Sequence, residues 1–237
     1  MSEATGFRRN WRSLTVMALF LAWMLFDTAG FEAVLRWMFP GENPVIHPRE
    51  TMLEMFGDHI AIMAVSSGLA IVAGGLLGVL LLSGFGRHFE DVLANLAGFG
   101  QAVPSLAMIA LMVPWIGYGA ETVVIALVVY SVLPVMLSVV AGVRAVPAPV
   151  VDAAVGMGMT GAQRLLRVQL PLAAPIILGG VKNMMIINVS AAAMGAIVGA
   201  GGFGVSIFAG IAQFNNALIV AGALPTVVLA LMIDRSV

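Results

Sequence analysis

The sequence contains no cysteine. Disulfide frameworks, thiolate metal sites and cysteine nucleophiles are therefore excluded together. Lys182 is the only lysine and Asn183 follows it, so the chain has no G-x-x-x-x-G-K-[ST] loop of the kind that cradles nucleotide phosphates. Charged residues make up only 10%, against about a quarter in a soluble domain. The net charge of -1 and pI near 6.3 offer no basic excess to neutralise phosphates, which excludes nucleic acid as a partner. His47, His59 and His88 have no metal-ligand spacing and read as loop or interface residues. There is no Ser-His-Asp set and no carboxylate pair, so no metal site and no catalytic residue is assigned.

What is abundant is apolar. Of 237 residues, 61% are hydrophobic, and the mean hydropathy of +1.05 lies far from that of a water-soluble enzyme. A helical crossing needs about 20 apolar residues. Six runs bounded by charges or Gly/Pro clusters qualify: Leu14–Phe26, Ile60–Ser83, Val92–Ile116, Thr122–Val143, Leu172–Val198 and Ala217–Ile233. They predict an all-α polytopic integral membrane protein with about six transmembrane helices. The first run, behind Arg8, Arg9 and Arg12, has the outline of a signal peptide, but no A-x-A cleavage site follows and it reads as a retained helix.

Arginine placement orients the bundle. With a cytoplasmic N-terminus, Arg8, Arg9, Arg12, Arg87, Arg144, Arg164, Arg167 and Arg235 lie inside, and only Arg36 and Arg49 outside. The positive-inside rule selects this arrangement, with both termini cytoplasmic. Two polar connections have length. Asp27–His59, with Pro40, Pro44, Pro48 and several acidic residues, is then the external loop. Arg144–Pro171 is the internal one. Neither is long enough to bury a core of its own. The chain divides into residues 1–58, an N-terminal helix and periplasmic loop, and residues 59–237, the membrane domain.

The internal connection is the informative one. Pro147 and Pro149 precede a helix, and Asp152 falls in its first turn, where a carboxylate suits the helix dipole. Gly156 and Gly158 break that helix. Gln163–Val168 forms a second short helix, and Pro171 opens the next span. The plain reading is an interfacial connector between two spans. The other is a docking platform whose small residues admit a close partner.

In this segment the sequence resembles a family. Asp152-Ala153-Ala154, then Gly158, then Val168, Leu170 and Pro171 fill, at the right spacing, the E-A-A…G…I-x-L-P pattern of ABC importer permeases. Asp stands for Glu at 152 and Val for Ile at 168. The resemblance implies that these seven residues form the coupling helix that docks in a groove of an ATP-binding subunit. Gln101-Ala-Val-Pro104-Ser105, Leu133-Pro134, Gly156-Met-Gly-Met-Thr160, Gly199–Gly204, Phe214-Asn215 and Ala221–Pro225 resemble the osmoprotectant branch, which moves glycine betaine, choline or carnitine. It implies a type I, methionine-importer-like core of five helices plus the extra N-terminal helix. It also implies a bacterial inner-membrane complex: two permease subunits, identical or paralogous, two ATP-binding subunits carrying ATP and magnesium, and a periplasmic or surface binding protein. No cofactor belongs to this chain itself. Relatives run on past Asp234-Arg235, which leaves a truncated C-terminus open.

Other features have plainer readings beside the functional ones. Gly199–Gly204 also matches G-x-G-x-x-G, but it follows a membrane helix rather than a strand, so it reads as a broken helix near the external mouth. Gly74/Gly78 and Gly195/Gly199 read as packing pairs within the chain. Pro104 interrupts or kinks the third run. Polar residues in hydrocarbon mark a bundle interior or a path, and Gln101, Ser105, Tyr130 and Asn188 are the candidates for the translocation path. Trp115 and Tyr118 read as an aromatic belt before they read as a cation cage. Alternatives kept open are a permease for an amino acid, a sulfonate or another betaine, a membrane scaffold or sensor, and an intramembrane enzyme.

Overall fold

The computed structural model describes residues 2–83 and 103–236, with side chains from Trp11 onward. Among them every regular element is helical: α1 (Ser2–Phe26), α2 (Thr28–Met38), α3 (Met52–Leu81), α4 (Ser105–Ile116), α5 (Ala120–Arg144), α6 (Ala148–Gly156), α7 (Gly161–Arg164), α8 (Leu170–Met194), α9 (Gly204–Gln213) and α10 (Asn216–Ser236). Four stretches are long and apolar enough to cross a membrane: α3, α5, the run 161–198 through α8, and α10. The bent pair, residues 11–26 of α1 with α2, qualifies only when its two helices are taken together as one broken stretch. The all-α polytopic reading stands. Of the third expected run, residues up to Ala102 lie outside the described residues, and after Val103 and Pro104 the rest is α4.

Two compact units are present. One gathers residues 1–66, 104–127 and 185–237, the other 67–103 and 128–184.

In the first unit, the stretch after Phe26 is not the open loop the polar sequence suggested. Asp27 stops α1 and starts α2. Its Oδ1 accepts from Gly30 N at 3.1 Å, and its Oδ2 accepts from Trp23 Nε1 at 3.0 Å. A carboxylate at that position satisfies an N-terminal donor that the helix leaves unpaired, and the chain turns by 93°. The amphipathic α2 then buries Phe31 and Leu35 and exposes an Arg36–Glu32 pair.

These side chains join one core with Leu21, Met24 and Leu25 of α1, Met52 and Met55 of α3, Phe203, and Ala217 and Ala221 of α10. Small residues on α10 let backbones come close, which is how helices gain dispersion in lipid, where no hydrophobic drive acts between them. Thr51 and Glu54 start α3 with reciprocal bonds, Glu54 Oε2 accepting from Thr51 N at 2.8 Å and Thr51 Oγ1 accepting from Glu54 N at 3.2 Å. Helix α3 thus begins about two turns earlier than the apolar run. His59, read as a loop or interface residue, is instead fully buried in it, its ring 5.4 Å from that of Phe203.

The loop before α3 also reaches α10. Glu42 Oε2 accepts from Ala217 N at 2.6 Å and Glu42 Oε1 from Asn216 Nδ2 at 2.8 Å. Asn215 Nδ2 donates to Pro44 O at 2.8 Å. The N-terminal segment therefore caps the last helix.

The glycine run is a broken helix, as its composition implied. A 3₁₀ turn, Gly195–Val198, ends at Gly199 in the left-handed region (φ +76), and Gly201 and Gly202 follow at +80 and +79. A residue with a Cβ is strained at each of these. Gly199 is therefore a turn residue rather than half of a packing pair, whereas Gly195 does pack, a Cβ there meeting Val123 at 2.9 Å. The run hands over to α9, a short apolar helix that hydropathy alone did not separate from its surroundings. Ser206 Oγ ties α9 to α10 by donating to Leu218 O at 2.8 Å.

In the second unit, Gly74 and Gly78 pack α3 on α5 as their spacing suggested. A Cβ at Gly74 would lie 2.6 Å from Val132 O, and one at Gly78 2.7 Å from Val139 Cβ. Val143, Val146 and Ala173 form a further small cluster against which Val151, Leu165 and Leu170 pack.

Candidate functional site

The segment between α5 and α8 is built by local chemistry. Pro147 sits at φ −56, ψ 133, too extended for a helix, and so stands as the N-cap of α6. Pro149 falls in the first turn, where an absent N–H leaves no helical bond unmade. Helix α6 ends in a tight wrap, Met157 N donating to Ala153 O at 3.0 Å, Gly158 N to Val155 O at 2.9 Å and Met159 N to Ala154 O at 3.2 Å. Gly158 turns left-handed at φ +77, with open space around the position of a Cβ. Backbone conformation, not crowding, requires glycine there.

Thr160 then restarts the helix with a capping box. Its Oγ1 accepts from Gln163 N at 3.3 Å, and Gln163 Oε1 accepts from Thr160 N at 2.9 Å. The signal for it, Thr-x-x-Gln, stands in the sequence.

Beyond this cap the chain departs from the expectation of two short helices and a fresh start at Pro171. Helix α7 runs through a wide π turn, Leu165–Gln169, straight into α8. In a regular helix the ring of Pro171 would press on the carbonyl of Arg167 and leave it unbonded. A wide turn, closed by Leu170 N donating to Leu165 O, stands directly before Pro171, and the helix continues through it. The second short helix is therefore the first turn of the span.

The seven pattern residues divide by role. Ala154 is 1% exposed and is the packing face of α6. Val168 and Leu170 are half-buried, and Leu170, like Val151 and Leu165, packs against Val143, Val146 and Ala173. Gly158 makes the turn. Asp152, Ala153 and Pro171 are exposed. Around them Val155, Met157 and Leu166 stand out, Met157 at 70% exposure and Leu166 at 62%. The result is a short helix with one face anchored and one apolar face open, joined by a capped turn to a helix continuous with a membrane span.

The path candidates are more scattered. Gln101 lies outside the described residues. Ser105 is half-buried at the first position of α4, where Pro104 (ψ 137) begins the helix. Asn188 is fully buried within α8, in the same unit. Tyr130 is half-buried in α5, in the other unit. Trp115 and Tyr118 are both strongly exposed.

Known proteins resemble this chain in sequence and in fold. Residues 70–237 match the family described as "Binding-protein-dependent transport system inner membrane component". The choline transport system permease protein OpuBB of Bacillus subtilis (strain 168) is 33% identical over 177 residues, 75% of this chain and 81% of that protein. The carnitine transport permease protein OpuCD of Listeria monocytogenes serotype 1/2a (strain 10403S) is 34% identical over 184 residues, 77% of this chain and 82% of that protein. Among solved structures, a chain of the inward-facing MetNI methionine ABC transporter superposes with a TM-score of 0.70 at 22% identity, covering 77% of this chain and 91% of that one. At that identity the likeness establishes the fold, the type I importer permease. With 168 residues out of 237 matched by that family, the chain belongs to the binding-protein-dependent transport system inner membrane components.

Proposed function

We propose that this chain is the permease subunit of an ATP-driven importer for quaternary ammonium osmoprotectants such as glycine betaine, choline or carnitine. The relatives named for choline and carnitine share a trimethylammonium cargo. The observation that carries the coupling role is the α6–α7 segment, anchored through Ala154 and Leu170 and open at Asp152, Ala153, Val155 and Met157.

In this reading, two separate ATP-binding subunits, holding ATP and magnesium, dock on residues 152–171. A second permease copy, identical or paralogous, completes the path, and a binding protein delivers cargo from outside. Both termini and the 144–171 segment are cytoplasmic in the bacterial inner membrane, on the strength of the arginine distribution. Helices α1 and α2 and the loop up to Thr51 are accessory, and the permease domain, divided from them at 58/59 by sequence, begins a few residues earlier with α3. Closure of the ATPase pair draws the two coupling segments together. Because α7 continues into α8 through the π turn, that motion reaches the spans directly and opens the cavity outward, and hydrolysis resets it. Ser105, Tyr130, Asn188 and Gln101 are the residues assigned to the path.

The test is uptake and ATPase activity of the reconstituted complex. Ala153→Asp places a charge on the docking face, and Gly158→Val forces a β-branched residue into a left-handed turn. Each is expected to lower uptake by at least about tenfold, as the loss of one good interface anchor does, while ATP hydrolysis no longer responds to loaded binding protein. Uptake at the wild-type rate in both variants would refute the docking assignment.

A further inference from the structure

A cavity of about 810 Å³ lies within the second unit, between the ends of α3 and α5 and the starts of α6 and α7. Its polar lining is Ser83, Arg144, Asp152, Arg164 and Gln169, and Val79, Leu82 and Leu165 give it an apolar wall. Among the described residues that line it, two carry a guanidinium and one a carboxylate. The Nε of Arg164 is buried and has no hydrogen-bond partner among the described residues. Arg164 therefore borders the cavity with no protein acceptor at this nitrogen, a hydrogen bond left unmade at a cost.

The chemistry of an acceptor that fits comes from the lining. A guanidinium presents a planar fork matched to carboxylate or phosphate oxygens. The single carboxylate, Asp152, opposes anions on its own side and confines a negative group to the arginine side. The volume far exceeds one phosphate, and the remainder is walled by valine and leucine. An apolar wall beside a cationic pocket at the end of spanning helices matches a phosphodiester with its acyl chains behind it.

We propose that this cleft binds a phosphate group, supplied by an anionic phospholipid or by soluble phosphate. Held between Arg144 at the end of α5 and Arg164 in α7, it braces the coupling segment against the span that precedes it. Its placement on the cytoplasmic side rests on the orientation proposed above. Binding itself does not, so the experiment separates the two.

Native mass spectrometry of the full detergent-purified chain, with phosphatidylglycerol or phosphatidylcholine added, reads the occupancy directly. One phosphatidylglycerol is expected to be retained with about a tenfold preference over phosphatidylcholine, the worth of one charge-assisted hydrogen bond. Arg164→Gln abolishes the preference. Arg167→Gln, the same charge change at an exposed arginine outside the cavity, preserves it. Retention that survives millimolar inorganic phosphate identifies the lipid, and displacement by it identifies the soluble ion. Should the wild-type chain show neither a preference for phosphatidylglycerol nor binding of inorganic phosphate, the proposal is overturned, whatever the folding of the variants. Equal losses in Arg164→Gln and Arg167→Gln overturn it too.

Discussion

Glu42 is the residue whose replacement tests the architecture most directly. Its carboxylate bridges the loop before α3 to the start of α10, accepting from Ala217 N at 2.6 Å and Asn216 Nδ2 at 2.8 Å. Hydrogen bonds to a charged acceptor contribute about 1.5–3 kcal/mol each when partly buried. The first of these is part-buried and the second exposed, so most of the effect belongs to the backbone amide. A negative group at a helix start adds about 0.3–1 kcal/mol through the dipole. Glu42→Gln keeps the length and one acceptor but turns an NH₂ toward the other donor. The expected loss is about 2–3 kcal/mol. Glu42→Ala, which also frees the loop, loses at least as much. Asn216→Ala alone costs less, about 0.5–1 kcal/mol. The double variant Glu42→Ala/Asn216→Ala is sub-additive, because the two residues share one contact. Glu32→Gln, which breaks an exposed i,i+4 pair, is the control and stays within about 0.5 kcal/mol of wild type. The measurement is detergent-dependent unfolding followed by tryptophan fluorescence, with proteolysis of residues 39–50 as a local probe. A Glu42→Gln protein as stable as Glu32→Gln, with the loop equally protected, would show that the N-terminal segment does not cap α10.

Three further outcomes rest on the same geometry. Thr160→Ala removes half of the capping box and is expected to cost about 1 kcal/mol, read as faster amide exchange over residues 158–165, with Thr160→Ser restoring protection; unchanged exchange refutes the cap. At Gly204 a Cβ would run into the carbonyl of Ala193, so Gly204→Ala is expected to lose about 1–3 kcal/mol by overpacking, whereas Gly57→Ala, inside α3 with nothing within 4 Å, loses nothing and gains up to about 1 kcal/mol of helix propensity. The cysteine-free sequence suits topology mapping: Gly41→Cys is expected to react with a membrane-impermeant maleimide in intact spheroplasts and Met157→Cys only after permeabilisation, and the reverse pattern overturns the orientation.

Local chemistry made much of this protein legible in advance. Hydropathy adds along the chain, so the membrane class and the main spans can be read from apolar run length. Gly158 and Pro104 act on their own backbone, so the break after α6 and the start of α4 could be placed from the residues themselves. The turn at Gly158 and the capping box at Thr160 were legible in the residues between α6 and α7, because that segment is folded by caps and turns only a few residues wide.

Tertiary structure decided the rest. Asp27 could have been an ordinary polar residue after a span, and what makes it the pivot of a 93° bend is that Phe31 and Leu35 beyond it find a core with α1, α3 and α10. Pro171 reads locally as a helix start, yet the π turn, with Leu165 and Leu170 held against Val143, Val146 and Ala173, carries the helix through it. Burial of His59 depends on Phe203, and the cap on α10 comes from a residue 175 positions earlier in the chain. Periodicity and propensity act over a turn or two of helix, so the sequence by itself set which segments are helical and membrane-bound. Pairings between distant segments depend on shape and hydrogen-bond geometry that exist only once the helices have packed, and these settled where the helices bend, continue and are capped.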